Sequence, residues 1–191
     1  MFRVGILAAL RSKKLDGKTI GVMITASHNP EQVRTQFIYK PKLTSVDGQD
    51  NGVKLVDPRG EMLEAAWERH ATELANAPTT DDLLDAVEAL IKNLKIDLSK
   101  PANVVYARDT RPSGPSLVAA FQDGLNAMDA SGRDEGVTTT PILHYLVRCI
   151  NSKGSKEEYG EDSEDGYMKK LSNAFKKLVV RVNIRFAYIL H

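Results

Sequence analysis

The chain has 191 residues and a formal net charge of +1, from 26 lysines and arginines against 25 aspartates and glutamates. A charge so close to neutral argues against a protein that binds the phosphate backbone of nucleic acid. The single cysteine, Cys149, excludes an intrachain disulfide and a cysteine-rich zinc site and is compatible with a reducing compartment. No apolar stretch approaches the roughly 20 residues of a membrane-spanning helix, so no membrane partner is expected.

Helical and extended patterns alternate along the chain, which is typical of a layered α/β fold. The first part predicts a short helix over 1–12 and a buried strand, "TIGVMI", that ends at Thr25. A second strand, "GVKLV", is followed by Asp57 and Pro58, which suit the cap and the first position of a helix. We expect that helix over 58–75, with its one tryptophan in the core.

The remaining pattern predicts two further strands and three helices. One helix opens at Thr79 or Thr80, and "ANVVYA" supplies the third strand, which runs directly into "RDTRPSG". Ser113 caps the next helix, "ASGRDEG" reads as a loop, "VTTT" as a short strand and "PILHYLVRCI" as a helix. On this last helix we expect Cys149 to be a small buried side chain and His144 to be a structural histidine.

The composition changes after residue 150, and this change predicts a domain boundary. Residues 151–166 are polar and charged and contain glycine and serine, as is typical of a linker. Residues 167–191 then begin a second domain, with a helix through Leu178. The terminal "VVRVNIRFAYILH" resembles a strand or a tail, and the pattern does not place it.

The stretch "ITASHNP" puts Ser27 and His28 directly after the first buried strand. The nucleophile elbow of a hydrolase requires glycine two positions before and after the serine, and Thr25 and Asn29 stand there instead. A turn with an unreactive serine is the default interpretation of an isolated Ser-His pair, because Asn-Pro is itself a turn signal.

Three cationic side chains at other predicted strand boundaries favour a ligand site. Lys54 lies in the second strand, after an Asn-Gly turn, and Arg108 and Arg111 stand at the exit of the third strand. Loops at such ends of an open α/β sheet commonly bind ligands. Three cations and a histidine near one serine suit a ligand rich in oxyanions.

These motifs resemble those of a known enzyme family. "TASHNP" followed by "NGVK" is similar to the active-site serine loop of the α-D-phosphohexomutases, and "DNGVKLVDPRGEML", "RDTRPS" and "TTTPILHY" extend the resemblance with gaps over 1–178. The resemblance implies an α/β fold, a three-layer domain with a mixed sheet, which is the family's first domain, over 1–150. It also implies that this domain is incomplete at its N-terminus, because the family's first strand would precede Met1.

The resemblance assigns roles to the candidate residues. In the family, the serine at the position of Ser27 carries a phosphoryl group, passes it to a sugar phosphate to give a bisphosphate, and takes back the other phosphoryl group. Mg²⁺ is the expected cofactor, bound in part through the phosphate on Ser27. Lys54 matches a lysine near the reacting hydroxyl, and His28 is expected to contact the phosphate or the sugar. Arg108 and Arg111 either bind phosphate or brace the sheet.

The expected substrate is an amino-sugar phosphate and the expected compartment is the cytoplasm, but the sequence departs from the family pattern. Residues 33–49 separate two halves of a motif that the family keeps together, and we interpret them as an insertion. The aspartate-rich magnesium loop and the sugar-selecting domains have no counterpart in this sequence. We therefore expect the chain to be inactive alone. Two alternatives stay open: a non-catalytic truncated product, or a fragment of another hexose-phosphate mutase.

Overall fold

A computed structural model describes residues 1–25 and 53–189, with side chains up to Val179. Within these ranges the chain forms six helices and four strands. In chain order they are α1 Phe2–Lys14, β1 Ile20–Ile24, β2 Val53–Val56, α2 Ala65–Asn76, α3 Thr80–Leu94, β3 Asn103–Arg108, α4 Gly114–Asn126, β4 Ser131–Val137, α5 Thr140–Ser152 and α6 Glu164–Ile189.

The four strands form one mixed sheet in the spatial order β2-β1-β3-β4. β1 pairs with β3, and β3 with β4, in parallel, whereas β2 runs antiparallel to β1. β1 is a run of five buried residues, as is typical of a strand that is covered on both faces. The predicted α/β fold with a mixed sheet is therefore confirmed.

Helices cover both faces of this sheet, which gives three layers. Side chains alternate along β3, so that Val104 and Tyr106 pack in one core cluster with α1 and α4, whereas Val105 and Ala107 pack in another with α5. Trp67 on α2 belongs to the first cluster and is 4% exposed, which confirms its predicted place in the core.

Two glycines allow α1 and α4 to cross in backbone contact. A Cβ atom on Gly5 would overlap the carbonyl oxygen of Phe121, and a Cβ atom on Gly124 would overlap that of Phe2. Both glycines are buried, so no side chain fits at either position unless the helices move apart. The crossing fixes the spacing of the helical layer that covers β1 and β3.

The helix predicted over 58–75 begins later, at Ala65. Asp57 to Gly60 form a turn instead, in which the Gly60 N–H donates to the Asp57 carbonyl at 2.9 Å and Gly60 has a φ of +78°. The turn continues into a bridge between Val56 and Met62. Pro58 therefore lies in a turn rather than at the first position of a helix, and we call residues 53–62 the β2 hairpin.

An ion pair ties this hairpin to α1. The Asp57 carboxylate accepts hydrogen bonds from Arg11 Nε at 2.9 Å and from Arg11 Nη2 at 2.7 Å. The two side chains are 7% and 14% exposed, so most of this pair is removed from water. The carboxylate that the sequence suggested as a helix cap is thus mainly the partner of a buried guanidinium.

The fourth strand was predicted in the wrong place. β4 is Ser131–Val137, so the predicted loop "ASGRDEG" is mostly strand and the predicted strand "VTTT" contributes only its first residue. β4 lies at the edge of the sheet and most of its residues are exposed. Its sequence is therefore polar and lacks the apolar alternation by which a half-buried strand is recognised.

The terminal segment is helical up to Ile189, where the sequence suggested a strand or a tail. The first turns of α6 contact α5, with the ring of Tyr167 5.5 Å from that of Tyr145. Farther along α6, the apolar side chains of Phe175 and Leu178 are exposed. The predicted domain boundaries at 150 and 166 stay predictions.

Candidate active site at the carboxyl end of the sheet

The strand register brings several predicted site residues to one end of the sheet. Ile24, the last residue of β1, lies opposite Arg108, the last residue of β3, and opposite Val53, the first residue of β2. Thr25 follows β1 and is buried. Thr25 and Val53, the described residues that flank 26–52, therefore both lie at the end of the sheet where Arg108 lies. We call this the carboxyl end. Ser27 and His28 lie outside the described residues.

Lys54 lies one residue inside β2, on the face of the sheet that α5 covers. It pairs with Met23, which packs against Leu143 and Val147 of α5. Paired residues of neighbouring strands point to the same face, so the Lys54 side chain is directed to the α5 side. There it lines a cleft, described below, together with Thr140 at the start of α5.

Arg108 is directed to the opposite face. It pairs with Ile24, which belongs to the cluster with α1 and α4. Its side chain runs along the backbone of Gly114, where a Cβ atom would lie 2.8 Å from Arg108 Cδ, and its Nη1 donates to the Asp109 carbonyl at 3.2 Å. Glycine at position 114 thus lets the guanidinium lie against the start of α4.

Arg111 and Asp109 hold the loop that follows β3. The Asp109 N–H donates to the Ile24 carbonyl at 3.1 Å, which extends the β1–β3 pairing by one residue. The Asp109 carboxylate accepts the Arg111 N–H at 3.2 Å and lies 3.6 Å from Arg111 Nε. These contacts are those of an arginine that braces the sheet, one of the two roles expected for Arg111.

The three predicted cations therefore occupy the same end of the sheet without sharing one face. Lys54 belongs to the α5 side and Arg108 to the α4 side, and Arg111 lies in the loop between β3 and α4. A group bound at the carboxyl end would contact the Lys54 ammonium on one side of the sheet and the Arg108 guanidinium on the other.

A cleft of about 720 Å³ extends from Lys54 between the β2 hairpin, α5 and α6. One wall is built by His144, whose Nδ1 lies 2.9 Å from the Gly60 carbonyl oxygen. Because a carbonyl can only accept, Nδ1 carries the proton, and this contact confirms a structural role for His144. It clamps the hairpin to α5.

Sequence reasoning missed the cations on the far side of this cleft. Arg148 lies one turn beyond His144 on α5, with its guanidinium carbon 3.8 Å from the centroid of the Tyr159 ring. Lys170 of α6 places Nζ 3.3 Å from the same centroid. The spacing of His144 and Arg148 was the available signal, but Tyr159 and Lys170 belong to the segment read as a linker and to the helix after it.

Buried groups of α5 have perturbed acidities. Burial, followed by a hydrogen bond with Cys149, raises the pKa of Tyr145 to about 12. Burial likewise raises the pKa of the Cys149 thiol, although its contact with Tyr145 acts in the opposite sense. Cys149 is fully buried, so the prediction of a small core side chain is confirmed.

The described residues contain no group of three histidine, cysteine or acidic side chains that could hold a metal ion. They therefore do not by themselves form the magnesium site that the resemblance implied. In the same part of the chain, no helix is both long and apolar enough to cross a bilayer.

Comparison with known proteins identifies the family. The family described as phosphoglucomutase/phosphomannomutase, alpha/beta/alpha domain I, matches residues 73–155. The phosphoacetylglucosamine mutase of Candida albicans is 46% identical over 187 residues, which cover 93% of this chain and 30% of the relative. The phosphoacetylglucosamine mutase of Homo sapiens is 47% identical over 181 residues, which cover 93% of this chain and 29% of the relative.

A solved structure agrees with these relatives. N-acetylphosphoglucosamine mutase of Aspergillus fumigatus, in complex with GlcNAc-6P and magnesium, is 50% identical with a TM-score of 0.75, over 92% of this chain and 29% of that one. The chain thus spans about 30% of the length of the curated relatives that it matches. With its three layers, its mixed sheet and this degree of identity, the chain belongs to the α-D-phosphohexomutase superfamily.

Proposed function

We propose that the chain is the first-domain part of a phosphoacetylglucosamine mutase, an intramolecular phosphotransferase that interconverts N-acetylglucosamine 6-phosphate and N-acetylglucosamine 1-phosphate. The observation that carries the proposal is the 46% identity to a named mutase, together with a sheet that brings Thr25, Lys54 and Arg108 to one end. The three peptide units from Ile24 to Ser27 span at most about 11 Å. We therefore propose that Ser27 acts at this end of the sheet, where Lys54, Arg108 and Arg111 lie.

In this proposal Ser27 is the phosphoryl carrier. Phosphoserine 27 gives its phosphoryl group to the free hydroxyl of the sugar monophosphate, which forms a bisphosphate and leaves the serine hydroxyl. After the sugar reorients, its other phosphoryl group returns to Ser27 Oγ, and the isomeric monophosphate is released. The phosphate on serine carries roughly −1.5 to −2 charges at neutral pH, so nearby cations stabilise it.

Lys54 is the best placed described residue to act on the reacting hydroxyl. It lies on the α5 side of the sheet and pairs with Met23, which precedes Ser27 by four positions in the sequence. An ammonium there offsets the negative charge on the transferring phosphoryl group and exchanges a proton with the sugar oxygen. His28 is proposed to contact the phosphate or the sugar, and Arg108 to add positive charge from the other face.

The Aspergillus relative was solved with magnesium, and we propose that the intact enzyme uses the same ion. Mg²⁺ would neutralise phosphate charge, with the phosphate on Ser27 as one ligand. The described residues do not supply the others, so we propose that the 191-residue chain turns over little or no substrate alone. The full enzyme is proposed to act in the cytoplasm and to feed the synthesis of UDP-N-acetylglucosamine.

The test is phosphorylation of the purified chain. Incubation with glucose 1,6-bisphosphate and Mg²⁺ should add a stoichiometric increment of about 80 Da, the mass of one phosphoryl group, in intact-mass spectra. Ser27→Ala should abolish the increment, and Lys54→Gln should slow it. A Ser27→Ala variant that gains the same mass contradicts the proposed role of Ser27. A wild-type chain that stays unmodified favours the non-catalytic candidate described next.

A second candidate is a non-catalytic product that binds partners through an open strand. Within the described ranges β4 lies at the edge of the sheet, paired only with β3, and an unpaired strand edge can recruit another strand. Unmodified protein that elutes as concentration-dependent oligomers in size-exclusion chromatography would favour this candidate.

A further inference from the structure

Two cations meet at Tyr159 without an acidic partner. Lys170 Nζ donates to the Tyr159 carbonyl at 2.5 Å and lies over its ring, and Arg148 stacks on the same ring. Among the described residues, neither side chain forms an ion pair. The one acidic side chain that lines the cleft, Glu61, lies 3.8 Å from Arg59 instead.

The stacked arginine presents its hydrogen-bonding edge to the cleft. The Arg148 side chain is exposed and makes no hydrogen bond to another described residue, so its five N–H donors are available. Stacking on an aromatic ring orients the planar guanidinium, and its edge matches two oxygens of a phosphate. An ordered guanidinium loses less conformational freedom when it binds such a ligand.

The start of α5 adds positive potential to another part of the cleft, about 12 Å along the helix from Arg148. Thr139, its N-cap residue, forms no side-chain capping hydrogen bond, and the first helical residues, Thr140 and Pro141, line the cleft. The amino end of a helix carries partial positive charge. Lys54 lines the same cleft, which therefore has cationic side chains from the β2 hairpin, α5 and α6.

The size and the walls of the cleft favour a small organic ligand over a bare ion. Its volume of about 720 Å³ lies within the range of small-molecule sites. Tyr145, Tyr159 and Tyr167 contribute aromatic walls. Such walls pack against a carbon skeleton, whereas they offer little to free phosphate.

We propose that this cleft binds a small phosphate monoester, with its phosphate held by Arg148 and Lys170 and its organic part against the tyrosine walls. Arg148 lies eight residues from Thr140, about 12 Å along α5, so the phosphate position is separate from the carboxyl end. The site does not require Ser27 to be phosphorylated.

Phenyl phosphate tests the proposal, because it is a monoester that is not a sugar phosphate. We expect titration of the ¹⁵N-labelled chain, at constant ionic strength, to shift the Nε–H signal of Arg148, which is assigned by its loss in Arg148→Gln. The double variant Arg148→Gln/Lys170→Gln should bind at least about tenfold more weakly, since two charge-assisted contacts are removed. Phenol and inorganic phosphate should both bind more weakly than phenyl phosphate.

Control variants separate this site from the proposed catalytic one. Arg69→Gln removes a cation on α2 that is 77% exposed and should change the affinity less than twofold. Unchanged affinity in the double variant, loss of binding only in Lys54→Gln, equal binding of inorganic phosphate, or no binding by wild type would each overturn the proposal. Ser27 phosphorylation is scored separately, so either proposal can fail while the other stands.

Discussion

Removal of the Asp57 carboxylate should destabilise the chain more than any exposed substitution. Asp57→Ala leaves the Arg11 guanidinium, 7% exposed, without its two hydrogen-bond acceptors in the β2 hairpin. Breaking a buried ion pair on one side typically costs about 3–5 kcal/mol. Arg11 keeps a contact with Glu64 at 3.1 Å, but that carboxylate is 59% exposed, and it keeps the Trp67 ring at 4.9 Å.

These residual contacts place the expected loss near the lower limit, at about 3 kcal/mol in the free energy of unfolding. For a chain of this length, that corresponds to a decrease in Tm of roughly 6–12 °C. Urea denaturation followed by circular dichroism measures the first quantity, and a thermal scan measures the second. The matched control is Glu88→Ala, an exposed acid on α3, which should change stability by less than about 0.5 kcal/mol.

The double variant Arg11→Met/Asp57→Leu tests whether the unpaired charge of Arg11 or lost packing causes the destabilisation in Asp57→Ala. It removes both charges and keeps apolar volume beside Trp67, so it should recover most of the stability that Asp57→Ala loses. If Asp57→Ala loses less than about 1 kcal/mol, or if the double variant is less stable than the single one, the buried pair is not what ties α1 to the hairpin.

The remaining predictions concern a turn, a phenol and a helix cap. Gly60→Ala should cost at least about 1 kcal/mol more than Gly154→Ala in urea denaturation, because both residues have positive φ but only at Gly60 would a Cβ atom clash, 2.7 Å from a carbonyl oxygen of α5. Because the pKa of Tyr145 is raised to about 12, the unfolded chain releases this proton first and stability should fall between pH 10 and 12; Tyr145→Phe should reduce that fall in Tm. Thr79→Ala removes the capping box of α3 and should lower the free energy of unfolding by about 1 kcal/mol in the same denaturation assay. Thr72→Ala, at an exposed position within α2, should lower it by less than about 0.5 kcal/mol.

Each comparison has an outcome that contradicts its reasoning. Equal losses in Gly60→Ala and Gly154→Ala would mean that the hairpin is not packed tightly on α5. A Tyr145→Phe variant whose Tm falls as steeply as that of wild type above pH 10 would assign the alkaline loss to other groups, such as the buried Cys149 thiol. Equal stability of the two threonine variants would mean that the cap contributes nothing.

The sequence was sufficient where one local pattern decided the structure. The apolar run of β1 and the start of α3 at Thr79 or Thr80 were predicted because burial on two faces and acidic residues in a first turn each leave a readable pattern. The carboxyl end of the sheet was foreseen from strands that run into polar loops, and the register now pairs Ile24 with Arg108.

The errors lie where distant partners decided the structure. Asp57 and Pro58 look like a helix start, yet Arg11, 46 positions away, binds the carboxylate and the chain turns at Gly60 instead. β4 is polar because it is an edge strand, so no apolar alternation marks it. The cleft was missed because its walls come from the hairpin, α5 and α6, which no local pattern relates.

The glycine crossing of α1 and α4 limits how this domain can change. Neither helix can slide or roll on the other without driving a side chain into the point where Gly5 meets Gly124. The distance between the two helices, and with it their position on β1 and β3, is therefore fixed. Random mutagenesis should find these two positions intolerant although neither lies at the carboxyl end. The relative positions of Lys54 and Arg108 at the carboxyl end thus depend on two glycines in another layer of the molecule.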